Sequence, residues 1–202
     1  GENERAFVVH SLPRRNKTSR LFKSDEFVCA TSEESKKWVK AINSFLICGN
    51  IDGKSFSVKY YSLIYSHKFF THGIEESPKR KKILFLVNPF SGTKKAVNIF
   101  QTQVEPVLKV SVVDYHVVYT ERPMHAAEYV QEIPVGEFDA IVTVSGDGLV
   151  HEVLNGLMRR ADWKDAIKIP LGTIPGGTGN GLAMQMNGTL EQLSCLLSVL
   201  KH

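Results

Sequence analysis

The chain has 202 residues, of which 43% are hydrophobic and 23% charged, and its formal net charge is +4. This composition is that of a globular protein with a sizeable core, and the charge is too small to indicate nucleic-acid binding by itself. No apolar run approaches the roughly twenty residues of a membrane span. The start, GENERAF, does not read as a signal peptide, so we expect a soluble fragment or a chain whose native N-terminus has been removed.

The three cysteines are too few and too far apart for a disulfide framework or a zinc site. They are Cys29, Cys48 and Cys195, an odd number without C-x-x-C spacing. We therefore expect reduced, buried thiols in an intracellular protein.

Residues 1–50 have the pattern of a small β domain closed by a helix. The strand-like runs AFVVHSL and DEFVCAT flank a basic loop, PRRNKTSR. Thr31 and Glu34 form a capping-box signature, and the following helix has one apolar face made of Trp38, Ala41, Ile42 and Phe45. These features resemble the last part of a pleckstrin-homology-like domain. The basic loop is either a contact for anionic lipid headgroups or a solvated hairpin loop.

Residues 51–82 are mixed and then strongly charged, and they end in the basic cluster KRKK. This composition predicts a linker, with a domain boundary near residue 80.

From residue 83 to the end, short apolar runs alternate with helical patterns. The runs are ILFLVNP, DYHVVYT, DAIVTVSG and IPLGTIPGG, and the helical patterns cover residues 93–105, 124–132, 148–160, 179–186 and 190–202. Alternation of this kind predicts an α/β domain with a Rossmann-like parallel sheet and helices on both faces.

Ligands of open parallel sheets bind beyond the carboxyl ends of the strands, and four loops rich in small or polar residues follow these strands. In the last loop, Gly176, Gly177 and Gly179 can let backbone N–H groups approach a phosphate beside a helix N-terminus. A tight turn without a ligand explains the same glycines equally well. The spacing fits neither a Walker A loop nor the G-x-G-x-x-G dinucleotide motif, and the protein-kinase elements are absent.

The loop Ser145-Gly146-Asp147-Gly148 places one carboxylate between two glycines at the end of a strand. Asp147 is either an N-cap for the helix that starts near Leu149 or a catalytic group held rigidly at the cleft. Capping requires no flanking glycines, so we favour the catalytic role.

Two further polar residues follow in the first turn of that helix. Glu152 lies near the positive end of the helix dipole, where it can contact a nucleotide, share a metal or stabilise the turn. His151 and Glu152 do not form H-E-x-x-H, which excludes the zinc-protease reading.

The four loops in this order resemble the nucleotide-binding half of the diacylglycerol-kinase catalytic family. The residues that carry the resemblance are Asn88 to Gly92, Thr120 to Arg122, SGDGLVHEVLNGLMRRADW and PLGTIPGGTGNGLA. Within that family the serine at position 145 and the Asn155 to Met158 run are most similar to sphingosine kinases. Gly176 departs from the family, which commonly has alanine there.

The resemblance implies the N-terminal half of the NAD kinase/diacylglycerol kinase-like fold over residues 83–202, with the β-rich lipid-binding half absent. It implies transfer of the γ-phosphoryl group of ATP, with Mg²⁺, to the primary hydroxyl of a sphingoid base at a membrane surface in the cytoplasm. Asp147 would be catalytic, the Ser145, Gly146, Asp147 and Gly148 loop would meet the lipid, and the Mg²⁺ ligands stay unassigned. The implied ATP contacts are Asn88, Pro89, Phe90, Ser91, Gly92, Thr120, Glu121, Arg122, Pro123, Met124, Glu152, Gly177, Thr178 and Gly179.

Two alternatives stay open at this point. One is a ceramide or diacylglycerol kinase. The other is a non-catalytic membrane-recruitment module that binds anionic lipid through Arg14, Arg15, Lys17 and Arg20.

Overall fold

The computed structural model describes residues 6–11, 23–38, 62–65, 81–92, 94–111 and 113–201. The chain forms two compact units, Gly1–Pro78 and Lys79–His202.

The first unit contains a three-stranded antiparallel sheet and a helix. The strands β1 (Ala6–Ser11), β2 (Lys23–Val28) and β3 (Ser62–Tyr65) pair in the order β2-β1-β3, and residues 32–38 form helix α1. Strand β3 lies inside the stretch that we predicted as a linker. The basic loop lies outside the described residues, and the pleckstrin-homology-like assignment stays a prediction.

One of the two bonds of the predicted capping box is present at the start of α1, and the other goes to the residue before the cap. The Glu34 backbone N–H donates to Thr31 Oγ1, and Glu34 Oε2 accepts from the Ala30 N–H, both at 3.2 Å. Trp38, which we expected on the apolar face, is 52% exposed. Its predicted companions Ala41, Ile42 and Phe45 lie outside the described residues.

The second unit is built on the predicted parallel sheet. Its strands are β4 (Lys81–Val87), β5 (Val113–Tyr119), β6 (Ala140–Ser145) and β7 (Leu171–Pro175), in the order β5-β4-β6-β7. From β4 the chain moves to one side to form β5 and then to the other side to form β6. The junction of β4 and β6 is therefore a topological switch point, where open α/β sheets bind ligands.

Helices follow each strand of this sheet. They are α2 (Ala96–Ile99), α3 (Glu105–Val110), α4 (His125–Glu132), α5 (Asp147–Met158), α6 (Trp163–Ala166), α7 (Gly181–Asn187) and α8 (Gln192–Lys201). A π-helical stretch, Phe100–Val104, joins α2 to α3. Pro106 lacks an N–H and its ring clashes with a regular preceding turn, which explains why the helix predicted over 93–105 changes its hydrogen bonding here.

The helices cover both faces of the sheet, as predicted. On one face Leu84 and Leu86 pack with Ala126 and Val130 of α4 and with the apolar side of α5. On the other face the Phe85 ring lies 5.6 Å from that of Phe100. Within the described residues, none of the helices has the length and apolar character needed to cross a bilayer.

Candidate active site

Two glycines allow the loops after β6 and β7 to pack backbone against backbone. A Cβ on Gly146 would lie 2.5 Å from the carbonyl oxygen of Gly179, and one on Gly177 would lie 2.5 Å from the backbone nitrogen of Gly146. Any side chain at these positions would overlap main-chain atoms. A Cβ on Gly148 would meet nothing within 4 Å, so the second glycine beside Asp147 faces open space.

Asp147 is the first residue of α5, yet its side chain caps a different helix. Oδ2 accepts from the Gly181 N–H at 2.8 Å and Oδ1 accepts from the Leu182 N–H at 3.0 Å, both at the start of α7. The cap position of α5 is Gly146, which has no side chain to bond it. The capping alternative is therefore wrong for α5, because these two bonds hold the carboxylate at the N-terminus of α7.

The loop after β7 is closed by its own asparagine. Asn180 Nδ2 donates to the Gly177 carbonyl at 2.8 Å, and Asn180 Oδ1 accepts from the Gly177 N–H at 3.3 Å. The Gly176 N–H donates to the Ser145 carbonyl at 2.8 Å. These bonds fix the turn that carries Gly179 and Gly181. The Gly179 carbonyl accepts from the Asp147 backbone N–H at 3.0 Å, and the Gly181 N–H donates to the Asp147 carboxylate.

The loop after β4 interlocks with the same turn. Asn88 Oδ1 accepts from the Phe90 N–H at 2.8 Å, and the Asn88 N–H donates to the Val144 carbonyl at 3.3 Å. Gly92 has a φ of +29°, and a Cβ there would lie 2.2 Å from Thr178 Oγ1. The loop therefore requires glycine at position 92.

The loop after β5 begins beside the end of β4 and is held by the first turns of α4. The buried Thr120 donates its N–H to the Val87 carbonyl at 2.8 Å. Arg122 forms a two-point ion pair with Glu128. Hydrogen bonding to the partner raises the pKa of the Arg122 guanidinium and lowers that of the Glu128 carboxyl.

The loops after β4, β6 and β7 border an open cavity of about 310 Å³ at the switch point. Its lining includes ten of the residues that we predicted for the site, together with Leu149: Asn88, Ser91, Gly92, Ser145, Gly146, Asp147, Gly148, Glu152, Thr178 and Gly179. The other predicted residues, which are Pro89, Phe90, Thr120 to Met124 and Gly177, do not line it. Three of the four loops therefore converge on one cavity, and the loop after β5 lies outside its lining.

Glu152 supplies the cavity with an unsatisfied acceptor. Its Oε2 is buried and has no hydrogen-bond partner among the described residues. A buried carboxylate oxygen in this state is costly unless a cation or a donor from a ligand reaches it. The described residues hold no cluster of three or more His, Cys, Asp or Glu side chains placed to bind a metal by themselves.

Sequence reasoning missed the residues that hold Asp147. Leu182 was not singled out, and Asn180 and Gly181 were noted only as parts of the glycine-rich loop. They are close to Asp147 only because two crossover connections fold back onto the same sheet, which the sequence does not show directly. One signal was available: Asp is a favoured N-cap residue, so an Asp at the end of a strand indicates that a helix N-terminus can lie nearby.

Comparisons with known proteins identify the family of this chain. The diacylglycerol kinase catalytic domain family matches residues 82–202. Sphingosine kinase 1 of Rattus norvegicus is 46% identical over 110 residues, which is 54% of this chain and 29% of that protein. Sphingosine kinase 2 of Homo sapiens is 35% identical over 190 residues, which is 90% of this chain and 26% of that protein.

A solved structure shows the same relationship at the level of the fold. A putative diacylglycerol kinase from Bacillus anthracis str. Sterne is 28% identical, with a TM-score of 0.50 over 62% of this chain and 41% of that one. The chain spans less than a third of the length of the curated relatives named above. Because the family match covers more than half of the sequence, this chain belongs, through residues 82–202, to the diacylglycerol kinase catalytic domain family.

Proposed function

We propose that the protein is a lipid kinase that transfers the γ-phosphoryl group of ATP to the primary hydroxyl of a sphingoid base, forming sphingosine 1-phosphate from sphingosine. One observation carries the proposal: the Asp147 carboxylate is fixed by two backbone N–H groups on the wall of the switch-point cavity. The sphingosine kinases among the relatives support the choice of lipid.

Asp147 is suited to receive the proton of the attacking hydroxyl. A carboxylate has about four lone-pair sites, and the bonds from Gly181 and Leu182 occupy two of them. The other lone pairs of the carboxylate can accept the substrate hydroxyl. Because the two backbone bonds hold the carboxylate in one orientation, they keep that hydroxyl in line with the phosphate. Phosphoryl transfer depends chiefly on such positioning and on charge neutralisation, because its transition state is loose.

The remaining predicted residues form the binding surfaces in this proposal. ATP is bound by Asn88 to Gly92, Thr120 to Met124, Glu152 and Gly177 to Gly179, and the Ser145 to Gly148 loop meets the lipid head. The backbone at Gly148 is open enough to approach a phosphate or hydroxyl. Bound Mg²⁺ would neutralise negative charge on the phosphates. Glu152 Oε2, which has no hydrogen-bond partner in the described part of the chain, fits either that cation, directly or through water, or a donor group of the nucleotide.

The same proposal places the protein at the cytoplasmic face of a membrane, where its lipid substrate is found. Residues 1–50 would be part of a pleckstrin-homology-like domain, and a lipid-binding half would complete the catalytic domain. Peripheral attachment requires no membrane-spanning helix.

A diacylglycerol kinase is the second candidate, since the solved structure similar in fold is a putative diacylglycerol kinase. The test is transfer of labelled phosphate from Mg-ATP by the full-length protein to sphingosine, ceramide and diacylglycerol, each presented in the same detergent micelles. We expect sphingosine to be phosphorylated fastest. Faster labelling of diacylglycerol would establish the second candidate. If none of the three lipids were labelled, the remaining hypothesis would be a non-catalytic membrane-recruitment module.

A further inference from the structure

The loop after β5, residues 120–124, is bound to α4 by two side chains that have no assigned role. His125 Nδ1 accepts a hydrogen bond from the Glu121 backbone N–H at 3.1 Å. Glu128, one turn further, accepts two bonds from the Arg122 guanidinium, one of them at 2.6 Å from Nη1 to Oε1. We call this segment the nucleotide loop, because the proposed function assigns it to ATP.

The backbone of the nucleotide loop has an unusual conformation where it joins α4. Met124 has a φ of 65° and a ψ of 0°, in the left-handed region that residues other than glycine rarely adopt. Such a conformation persists only where surrounding contacts fix it, and it is concentrated at functional sites. Main-chain bonds from His125 to the Arg122 carbonyl (3.3 Å) and from Glu128 to the Met124 carbonyl (3.0 Å) hold the same turn.

We infer that His125 and Glu128 are positioning residues that hold the nucleotide loop in its ATP-binding conformation and so set the affinity for Mg-ATP, without contacting the reacting atoms. This inference rests on the proposed function for the identity of the ligand. The two residues act on different parts of the loop: His125 fixes the backbone at Glu121, and Glu128 fixes the direction of the Arg122 guanidinium.

The chemistry of each contact defines the variants that test it. A neutral His125 that accepts through Nδ1 carries its proton on Nε2. The oxygen of asparagine is the same number of bonds from Cβ as Nδ1, whereas the polar group of glutamine corresponds to Nε2. His125→Asn therefore keeps the acceptor and His125→Gln moves it away. Arg122 uses two of its five N–H donors on Glu128, so three remain for phosphate oxygens.

The experiment compares steady-state kinetics of full-length His125→Asn, His125→Gln and Glu128→Gln proteins, with sphingosine and Mg-ATP each varied. Glu132→Gln is the matched control, because Glu132 is an exposed carboxylate at the end of the same helix. Losing one such hydrogen bond predicts a rise in the KM for ATP of about 3- to 10-fold for His125→Gln and Glu128→Gln. The kcat and the KM for sphingosine should be unchanged, and His125→Asn and Glu132→Gln should match the parent protein.

Equal KM values for the asparagine and glutamine variants of His125, or a fall in kcat at constant KM for ATP, would overturn the inference. Calorimetric titration with Mg-ATP separates it from the proposed function. Weakened nucleotide binding in the variants of a protein that does not phosphorylate sphingosine supports the inference and rejects the function. Unchanged nucleotide binding in variants of a protein that does phosphorylate sphingosine supports the function and rejects the inference. A parent protein that binds no Mg-ATP rejects the function and the inference together. If His125→Gln does not fold, Glu128→Gln alone tests the inference, because the ion pair of Arg122 and Glu128 is exposed.

Discussion

The carboxylate of Asp147 accepts a hydrogen bond from the backbone N–H of Gly181 at 2.8 Å, although the two residues are 34 positions apart in the chain. Together with the Leu182 N–H, this contact makes the predicted catalytic residue the anchor between α5 and α7. A negative charge at the start of a helix is also favoured by the helix dipole. Asp147 therefore has a structural role as well as the proposed chemical one, and the two must be separated by experiment.

Asp147→Asn in the full-length protein should nearly abolish turnover. A positioned proton acceptor contributes on the order of 10²- to 10⁴-fold, and an amide cannot replace it. The amide NH₂ would also face one of the two backbone donors, so we expect a loss of about 1 kcal/mol in the free energy of unfolding. The measurements are kcat for sphingosine phosphorylation and urea unfolding.

Asp139→Asn is the matched control for this change. Asp139 Oδ2 also accepts a backbone N–H, from Lys82 at 2.7 Å, but it lies before β6, at the opposite end of the sheet. Its substitution should lower stability to a similar extent and leave kcat nearly unchanged. If Asp147→Asn retained a third or more of the activity, Asp147 would lose its proposed role.

Neighbouring glycines of the loop after β7 should respond differently to alanine. At Gly177 a Cβ would lie 2.5 Å from the Gly146 nitrogen and 2.8 Å from Ser91 Oγ, so Gly177→Ala must push two loops apart. We expect it to cost roughly 1–3 kcal/mol, as overpacking does, and to weaken Mg-ATP binding. The measurements are thermal unfolding and calorimetric titration.

Gly176→Ala is the control for Gly177→Ala. A Cβ at Gly176 would lie 3.4 Å from Ala96, which is ordinary van der Waals contact. The Tm of Gly176→Ala should stay within about 2 °C of the parent protein, since only a small ΔΔG is expected for such a change. Equal destabilisation by the two substitutions would contradict the backbone packing described for Gly177.

Much of the second unit was predictable, because its strands are continuous apolar runs and its helices follow at regular intervals. Leu84 and Phe85 are both buried, on opposite faces, as expected for a parallel sheet covered on both sides. The convergence of three loops followed from the rule that such loops lie at one edge of the sheet. The π-helical stretch before Pro106 was not predicted, because apolar periodicity alone cannot distinguish it from a regular turn.

Tertiary contacts between distant residues account for most of what sequence reasoning missed. Asp147 was compared only with the helix that it begins, whereas its partners come from the next crossover. Trp38 belongs to the predicted apolar face of α1, but it is 52% exposed within the described residues. Periodicity identifies the face of a helix that is apolar, and it does not identify what covers that face.

Arg160, which follows α5 in the chain, caps the C-terminal end of α4. We expect it to contribute strongly to stability. Its side chain is 9% exposed, and Nη1 donates to three carbonyl oxygens at the end of α4: Val130 at 2.8 Å, Gln131 at 2.9 Å and Ile133 at 2.7 Å. Nε and Nη2 pair with Asp162 at 2.7 and 2.9 Å. Arg160→Met keeps most of the aliphatic volume and removes every one of these donors.

We expect Arg160→Met to lower the free energy of unfolding by about 2–3 kcal/mol, which is typical of hydrogen bonds to a charged group. Arg159→Met is the control, since Arg159 is exposed and precedes it directly. Chemical unfolding of both variants measures the difference. A loss of stability in the control as large as that in Arg160→Met would show that the capping bonds are not the cause.

Cys195 should make the stability of the protein depend on pH in the alkaline range. Burial, with a smaller effect of the Glu191 carboxylate, raises the pKa of the Cys195 thiol to about 11. The neutral thiol is therefore favoured in the folded state. Its stabilising contribution is fully present below the unfolded thiol pKa of about 8.5 and is lost as the pH rises towards 11.

Urea unfolding of the parent protein and of Cys195→Ala, measured from pH 8 to pH 10.5, tests whether the thiol's stabilising contribution falls as the pH rises. The difference in stability between the two proteins should shrink as the pH rises, because only the parent has this thiol to ionise on unfolding. A difference that stays constant with pH would exclude a raised thiol pKa. Alkylation of native Cys195 at pH 8 should be slow for the same reason.

Glu152 should bind the ligand at the expense of stability in the empty protein. Its buried Oε2 has no partner among the described residues, so Glu152→Gln removes a charge that is poorly compensated. The free energy of unfolding without ligand should therefore stay equal or rise. The Kd for Mg-ATP should rise at least about tenfold, because a hydrogen bond or ion contact to a charged group is lost.

Calorimetric titration with Mg-ATP and with metal-free ATP determines what Glu152 contacts. A defect confined to Mg-ATP would assign the Oε2 to the cation, and a defect with both ligands would assign it to a donor group of the nucleotide. Glu132→Gln, at an exposed position of α4, controls for the loss of one negative charge. An unchanged Kd in Glu152→Gln would remove Glu152 from the site, and the oxygen without a partner among the described residues would then have to be explained by local movement of α5.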